Sequence, residues 1–372
     1  MNDAAPTPRP DDVFGTADAA DRLILDEAAE RLAGLGRDEL VVIDDVGGAL
    51  TLGAAAGGVI GIRAHQDLIT GEATLASTAE RTGHAGAYRS MPFGPELVTG
   101  ARLVLLRLPR SLDRLDEVAA LVAAHAAPDA VIVAGGRIKH MSTTMNDVLR
   151  AVFDRVDVSH ARQKSRVLIA GGPRPDAGAE HLARWPRRET HGELGVIIAA
   201  HGGVFAGTKL DIGSRFLIEK LPAAMPDAER AVDLGCGSGI LAAWLARDRD
   251  QVTVIAADRS ASAAASTRAT ASANYLADRI HVEQSDGLAG VADASQQLVV
   301  LNPPFHDDAA ISTGVAHHLF AEAARVLEPG GELWCVWNSH LNYRPVLEKM
   351  IGSTRKVGRN RKFTVSSSRR RA

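Results

Sequence analysis

A chain of 372 residues, 46% apolar and 23% charged, is long enough for two domains of ordinary size. No apolar run approaches the roughly 18 residues of a membrane span, and residues 1–21, rich in Ala, Pro and Asp, lack the cationic-then-apolar pattern of a signal peptide. Cys236 and Cys335 fall in different strand regions, which supports neither a disulfide framework nor a zinc site. The expectation is a soluble cytoplasmic monomer without a metal, behind a flexible leader (1–21). The net charge of −3 is uneven. From Ser339 onward ten basic residues face one acid, Glu348, so the tail carries +9 and the rest −12. A basic segment on an acidic body suits phosphate binding or a plain solvated terminus.

In chain order, Ala20–Leu35 has apolar residues at helical spacing. A strand Glu39–Ile43, the small-residue run Gly47–Gly58 and strands Val59–Arg63 and Arg102–Leu108 follow. Leu112–His125 reads as an amphipathic helix, Ala130–Ala134 as a strand, Ser142–Phe153 as a helix and Ser165–Ala170 as a strand. Strands alternating with helices argue for a parallel doubly wound sheet over residues 22–172. Residues 173–193, rich in Pro, Arg, Gly and Ala, read as a linker. The remainder, 194–372, repeats the pattern. Strands are expected at Leu194–Ala200, Val204–Ala206, Ala231–Leu234, Val252–Ala257, Ile280–Gln284, Gln297–Leu301, Gly331–Val336 and Lys362–Val365. Helices are expected at Asp211–Leu221, Ser238–Arg247, Ser262–Tyr275, Val315–Leu327 and Tyr343–Ile351.

The halves match in places. Leu103–Arg110 resembles Leu298–Phe305, and Val131–Leu149 resembles Leu333–Leu347. Arg107-Leu108-Pro109-Arg110 stands early where Asn302-Pro303-Pro304-Phe305 stands late, and residues 42–48 lack the spaced glycines found near Gly235. Either a domain was duplicated and its first copy lost its chemistry, or two α/β halves are alike by chance.

The chemistry gathers in the second half. Val232-Asp233-Leu234-Gly235-Cys236-Gly237-Ser238-Gly239 follows an apolar strand and opens a helix, so a ligand can approach free backbone N–H groups closely. Its Gly-x-Gly-x-Gly spacing differs from a dinucleotide fingerprint, since Ile240 stands where the third glycine would be. Asp233 can anchor the turn or accept from a ligand amine. Nineteen residues after Gly239, Asp258 ends the next strand, where an acid can accept from both ribose hydroxyls. Asp286 follows a third strand and suits the amino group of a purine. Two consecutive prolines cannot continue a ladder, so the fourth strand stops at Asn302 and holds its amide at the strand's carboxyl end, with Phe305 beside it as a flat surface. An isolated Asp in such a loop is more often a helix cap. Asp258 and Asp286 taken in order at successive strand ends, with Asn-Pro-Pro-Phe at the fourth, are hard to explain that way.

This set resembles the class I S-adenosylmethionine-dependent methyltransferases, and among them the ribosomal RNA guanine-N2 methyltransferases built from two tandem Rossmann-like methyltransferase domains with the N-terminal one degenerate. Val204–Arg215 looks like that family's cofactor-lid segment, and Asn302-Pro303-Pro304-Phe305-His306 matches its Asn-Pro-Pro-Phe-His. The resemblance implies a cofactor site of Asp233, Gly235, Cys236, Gly237, Gly239, Asp258, Arg259, Asp286, Gly287 and Asn302. It implies catalysis by Asn302, Pro303, Pro304 and Phe305. Asn302 and the Pro303 carbonyl would accept the two hydrogens of a guanine amine while Phe305 stacks on the base. It also implies ribosomal RNA or a ribosomal subunit as partner, met by His306, Lys209, Arg359, Arg361 and Lys362, with the first half helping to bind RNA. Rival readings are the same motif acting on a protein glutamine or on DNA adenine or cytosine, and a non-catalytic ribosome-assembly factor.

Overall fold

The computed structural model describes residues 17–303 and 309–371. The chain divides into two units, Met1–Trp185 and Pro186–Ala372. The first holds strands β1 (Leu40–Ile43), β2 (Ile62–His65), β3 (Tyr88–Ser90), β4 (Leu103–Arg107), β5 (Val131–Arg137), β6 (Phe153–Val158) and β7 (Ser165–Pro173). They form one seven-stranded sheet in the order β3-β2-β1-β4-β5-β7-β6.

The second unit begins with an antiparallel ribbon of β8 (Arg187–His191) and β9 (Val196–Ala200). Its main strands are β10 (Arg230–Leu234), β11 (Thr253–Asp258), β12 (Ile280–Gln284), β13 (Gln296–Leu301), β14 (Leu327–Asn338), β15 (Thr354–Arg359) and β16 (Phe363–Arg369). Their order, β12-β11-β10-β13-β14-β16-β15, repeats that of the first unit. In both sheets six strands run in one direction and only the next-to-last in this order, β7 or β16, runs antiparallel to its two neighbours, so each is mixed rather than wholly parallel.

The parallel centre explains the apolar runs. A strand covered on both faces has no solvent side, so it reads as continuous rather than alternating. Leu298, Val299, Val300 and Leu301 are all fully buried. Leu298 and Val300 pack with Leu217, Leu241 and Leu245 on one face, and Val299 and Leu301 with Phe320 and Leu347 on the other. Each such side chain stabilises the fold by about 1.5–3 kcal/mol. Cys236 and Cys335 are free and buried, as core residues. Among the described residues no helix is long and apolar enough to cross a membrane.

Several expectations need correction. The expected leader ends before residue 21, because Asp18 caps a helix Ala19–Ala33. The expected linker 173–193 contains a helix, Pro175–Leu182, and β8. Residues 204–206, expected as a strand, form turns, and Ala206 and Gly207 both have positive φ, which no strand tolerates. The helix Ile69–Thr82 and strands β3, β6 and β15 had no clear apolar period to announce them. The basic tail is no frayed terminus, because β15 and β16 are hydrogen-bonded into the sheet.

Candidate active site

Strands β12, β11, β10 and β13 lie side by side and in parallel, so their carboxyl ends share one edge. Leu234 of β10 pairs with Leu301 of β13 and with Ala257 of β11. Gly235, Asp258 and Asn302 therefore emerge together, each next in the chain after one of these paired residues.

The Asn302 amide is held firmly. Its Nδ2 donates to Asp211 Oδ2 at 3.1 Å and to Ser214 Oγ at 2.9 Å. An ionised carboxylate has no proton to give, so the amide nitrogen and not its oxygen must face it. Asp211 is the N-cap of the helix Ile212–Ile218 and also accepts from the Gly213 and Ser214 N–H groups. Both amide hydrogens are thus spent on one helix end. Asn302 Oδ1 is left buried with no hydrogen-bond partner among the described residues. A buried acceptor of this kind carries a desolvation cost of about 1–3 kcal/mol, which a ligand N–H would relieve.

The glycine turn is built to stay open. Gly235, Gly237 and Gly239 have φ of 74°, 56° and 78°. A Cβ added at Gly235 or Gly237 would meet no atom within 4 Å, whereas at Gly239 it would strike Thr267 at 2.8 Å. The first two leave a cradle, while the third allows tight helix packing. Asp258 braces this cradle, accepting from the Gly237 N–H at 3.0 Å and the Ser260 N–H at 2.9 Å. Arg259, half-buried, contributes its carbonyl to Gln284.

Asp233 is fully buried beneath the turn, which favours the anchoring role over direct contact with a ligand. Its Oδ2 accepts from the Ala242 N–H at 3.0 Å, and its Oδ1 has no hydrogen-bond partner among the described residues. Burial pushes its pKa up to about 7, with the Ala242 N–H opposing and the Asp258 charge adding. Burial likewise raises the Cys236 thiol, which accepts from Thr267 Oγ1 at 3.2 Å. Asp286 is exposed and faces His318 Nε2 at 3.5 Å. A Cβ at Gly287 would meet Glu322 at 2.7 Å, so that glycine serves the packing of the helix Ala309–Val326.

Pro303 is buried at the end of β13, while Pro304, Phe305 and His306 lie outside the described residues. Lys209 is exposed on the turn before Asp211. Arg359, Arg361 and Lys362 are exposed at the β15–β16 turn, and Phe363 pairs with Asn338 at the carboxyl end of β14. That turn is therefore at the same edge as Asn302. Arg369 pairs with Glu332 at the opposite end and bonds the Gly330 carbonyl, so the tail's cations divide between two edges. Asp211, Ser214 and His318 were not among the residues assigned from sequence. An Asp-x-Gly-Ser run before a helix was the available signal for the first two.

The first unit keeps the scaffold and fills the space. Residues 44–48 occupy the turn that 235–239 occupy later, and Gly48 keeps the left-handed N-cap (φ 84°) seen at Gly239. Asp44, where Gly235 stands later, is paired with the buried Arg114 at 3.1 Å. Asp45 accepts from the Leu50 and Thr51 N–H groups. Asp18 caps its helix through the Ala20 and Asp21 N–H groups, as Asp211 does through Gly213 and Ser214. Arg107, where Asn302 stands later, donates to Asp18 and Asp21 at 2.8 Å each. Burial raises Asp21 to about 6 against the pull of Arg107. Asp18, which burial alone would push up, is held low by Arg107 and two N–H groups. An ion pair stands where the second unit leaves a free acceptor.

Residues 195–367 match the family model "Methyltransferase small domain", and residues 5–174 match "RLMG N-terminal domain". The chain is 34% identical over 368 residues to ribosomal RNA large subunit methyltransferase G of Streptomyces coelicolor, covering 96% of this chain and 94% of that one. It is 31% identical over 359 residues to the protein of the same name from Ectopseudomonas mendocina, with coverage of 96% and 94%. Among solved structures it is similar to a 16S rRNA N2 guanosine methyltransferase (RsmC) of T. thermophilus, described in complex with AdoMet and guanosine. The TM-score is 0.75 at 22% identity, covering 96% of this chain and 93% of that one, which is a likeness of fold.

Proposed function

This chain belongs to the ribosomal RNA large subunit methyltransferase G family, and from that premise we propose that it methylates the exocyclic N2 of a guanine in large-subunit ribosomal RNA. The observation that carries the reading is the Asn302 Oδ1, buried and unpartnered among the described residues, while its NH2 is held by Asp211 and Ser214. Such an atom can only accept, so it selects a group that brings hydrogen, and an aromatic amine brings two.

S-Adenosylmethionine fits the strand-end cradle and, when bound, supplies an electrophilic methyl group. The open faces of Gly235 and Gly237 would lie against it, Asp258 would accept from its ribose, and Asp286 would face its purine amine. Asn302 Oδ1 and the Pro303 carbonyl accept the two amine hydrogens and turn the nitrogen lone pair toward the methyl. The gain comes from orientation, which is worth several kcal/mol where reacting atoms are held in line. No strong base is needed, because the proton leaves after the C–N bond has formed.

Phe305, from its place in the chain, supplies a stacking surface worth about 1–3 kcal/mol. A paired guanine must first be flipped out, at a cost of a few kcal/mol. Arg359, Arg361 and Lys362 hold phosphates beside the site, with Lys209 and His306 as further contacts. The first unit, with its cradle filled, acts as an RNA platform and not as a second catalyst. We take the enzyme to work as a cytoplasmic monomer, and methyl transfer from a sulfonium calls for no metal.

The test is incubation with labelled S-adenosylmethionine and each of four acceptors: naked small- and large-subunit rRNA and the two assembled subunits. The methylated nucleotide is then mapped by mass spectrometry. Label on N2 of one large-subunit guanine is expected. Label on protein alone, or on another base atom, would overturn the reading.

A further inference from the structure

We propose that Asp211 is a positioning residue, whose carboxylate locks the Asn302 amide with its oxygen toward the substrate. The inference rests on the functional reading above and extends it to a residue 91 positions away in the chain. A free carboxamide can rotate by half a turn and present NH2 instead of oxygen, at little cost. Asp211 Oδ2 at 3.1 Å and Ser214 Oγ at 2.9 Å remove that freedom. Donation to an anion also polarises the amide and makes Oδ1 a better acceptor.

Two further observations point the same way. A Cβ on Gly213 would fall 2.9 Å from Asp211 Oδ2 and 3.5 Å from Asn302 Nδ2, so the glycine leaves room for the contact. In the first unit the corresponding N-cap acid, Asp18, still meets the residue at the corresponding strand end, Arg107, at 2.8 Å. There the chemistry is absent and the partner is a full cation. The contact between helix cap and strand end belongs to the scaffold, and the second unit uses it to aim an amide.

A capping role alone would also make Asp211 matter, so the variants must separate cap from lock. Asp211→Ser keeps a good N-cap but is too short to reach Asn302. With the full-length enzyme, labelled S-adenosylmethionine and deproteinised large-subunit rRNA, its kcat should fall about 10- to 100-fold. KM for both substrates should stay within about threefold, as expected when only alignment is lost. Asn302→Asp sets two carboxylates face to face and should be slower still. Adding Asp211→Asn restores a donor–acceptor pair, so the double variant should regain at least about tenfold over Asn302→Asp. A fully active Asp211→Ser, or a double variant no faster than Asn302→Asp, would overturn the lock. Asn302→Ala run alongside keeps the two claims apart. At the wild-type rate it sinks the functional reading itself, whereas an inactive Asn302→Ala beside an active Asp211→Ser sinks only the positioning role.

Discussion

Arg107 and Asn302 occupy equivalent strand ends in the two halves, and each faces the acid that caps the unit's corresponding helix: Asp18 for Arg107, Asp211 for Asn302. The arginine neutralises its acid and closes the space. The asparagine gives its hydrogens to the acid and leaves an oxygen over. At this strand end the change of residue type separates a filled space from one that keeps a buried acceptor, beside the Asp44–Arg114 pair that fills the turn.

If that is so, Arg107 matters to stability and not to transfer. Arg107→Ala would leave Asp21, 5% exposed, without its cation, and Asp18 with only the longer contact to Arg137 at 3.6 Å. The expected loss is about 2–4 kcal/mol at pH 8, below the figure for fully buried pairs because Asp18 is part-exposed. Without Arg107 the Asp21 carboxyl holds its proton to a higher pH, so the loss should shrink toward pH 5. Urea titrations at the two pH values check this, and methyl transfer at 25 °C should stay within about threefold of wild type.

Asp233 sets a pH dependence of its own. Its folded pKa, raised by burial from the ordinary 3.8 to about 7, lies above the unfolded value. The folded state therefore holds a proton that the unfolded chain has released, and stability falls as pH rises between about 4 and 7. Asp233→Asn keeps an acceptor for the Ala242 N–H and does not titrate. Its Tm against pH should be flatter over that window and above wild type at pH 8. Superimposable curves would contradict the assignment.

The basic tail should act at one end only. Arg359→Ala, Arg361→Ala and Lys362→Ala together should weaken RNA binding and lower the slope of log K against log salt by about 2–3. Arg369→Ala, at the opposite edge and bonded to the Gly330 carbonyl, should leave that slope unchanged. Filter binding over a range of salt concentrations distinguishes the two sets.

What could be read from sequence follows from how local each feature is. The end of β13 was legible because Pro303 and Pro304 stop any ladder, and the cradle because left-handed φ at a strand-to-helix turn asks for glycine. The charged strand Arg187–His191, exposed except at His191, had no apolar alternation to mark it and read as linker. The short apolar run at 204–206 suggested a strand that the positive φ of Ala206 forbids. Asp211 went unassigned for a different reason. Its cap is local, but its contact with Asn302 spans 91 residues, and only the folded sheet brings the two together.

The most direct test of the account is Asn302→Ala, measured for labelled methyl transfer to large-subunit rRNA and, in parallel, for RNA affinity. Transfer should fall by at least about 100-fold while RNA binding stays within a few fold. Methyl transfer at the wild-type rate would contradict it.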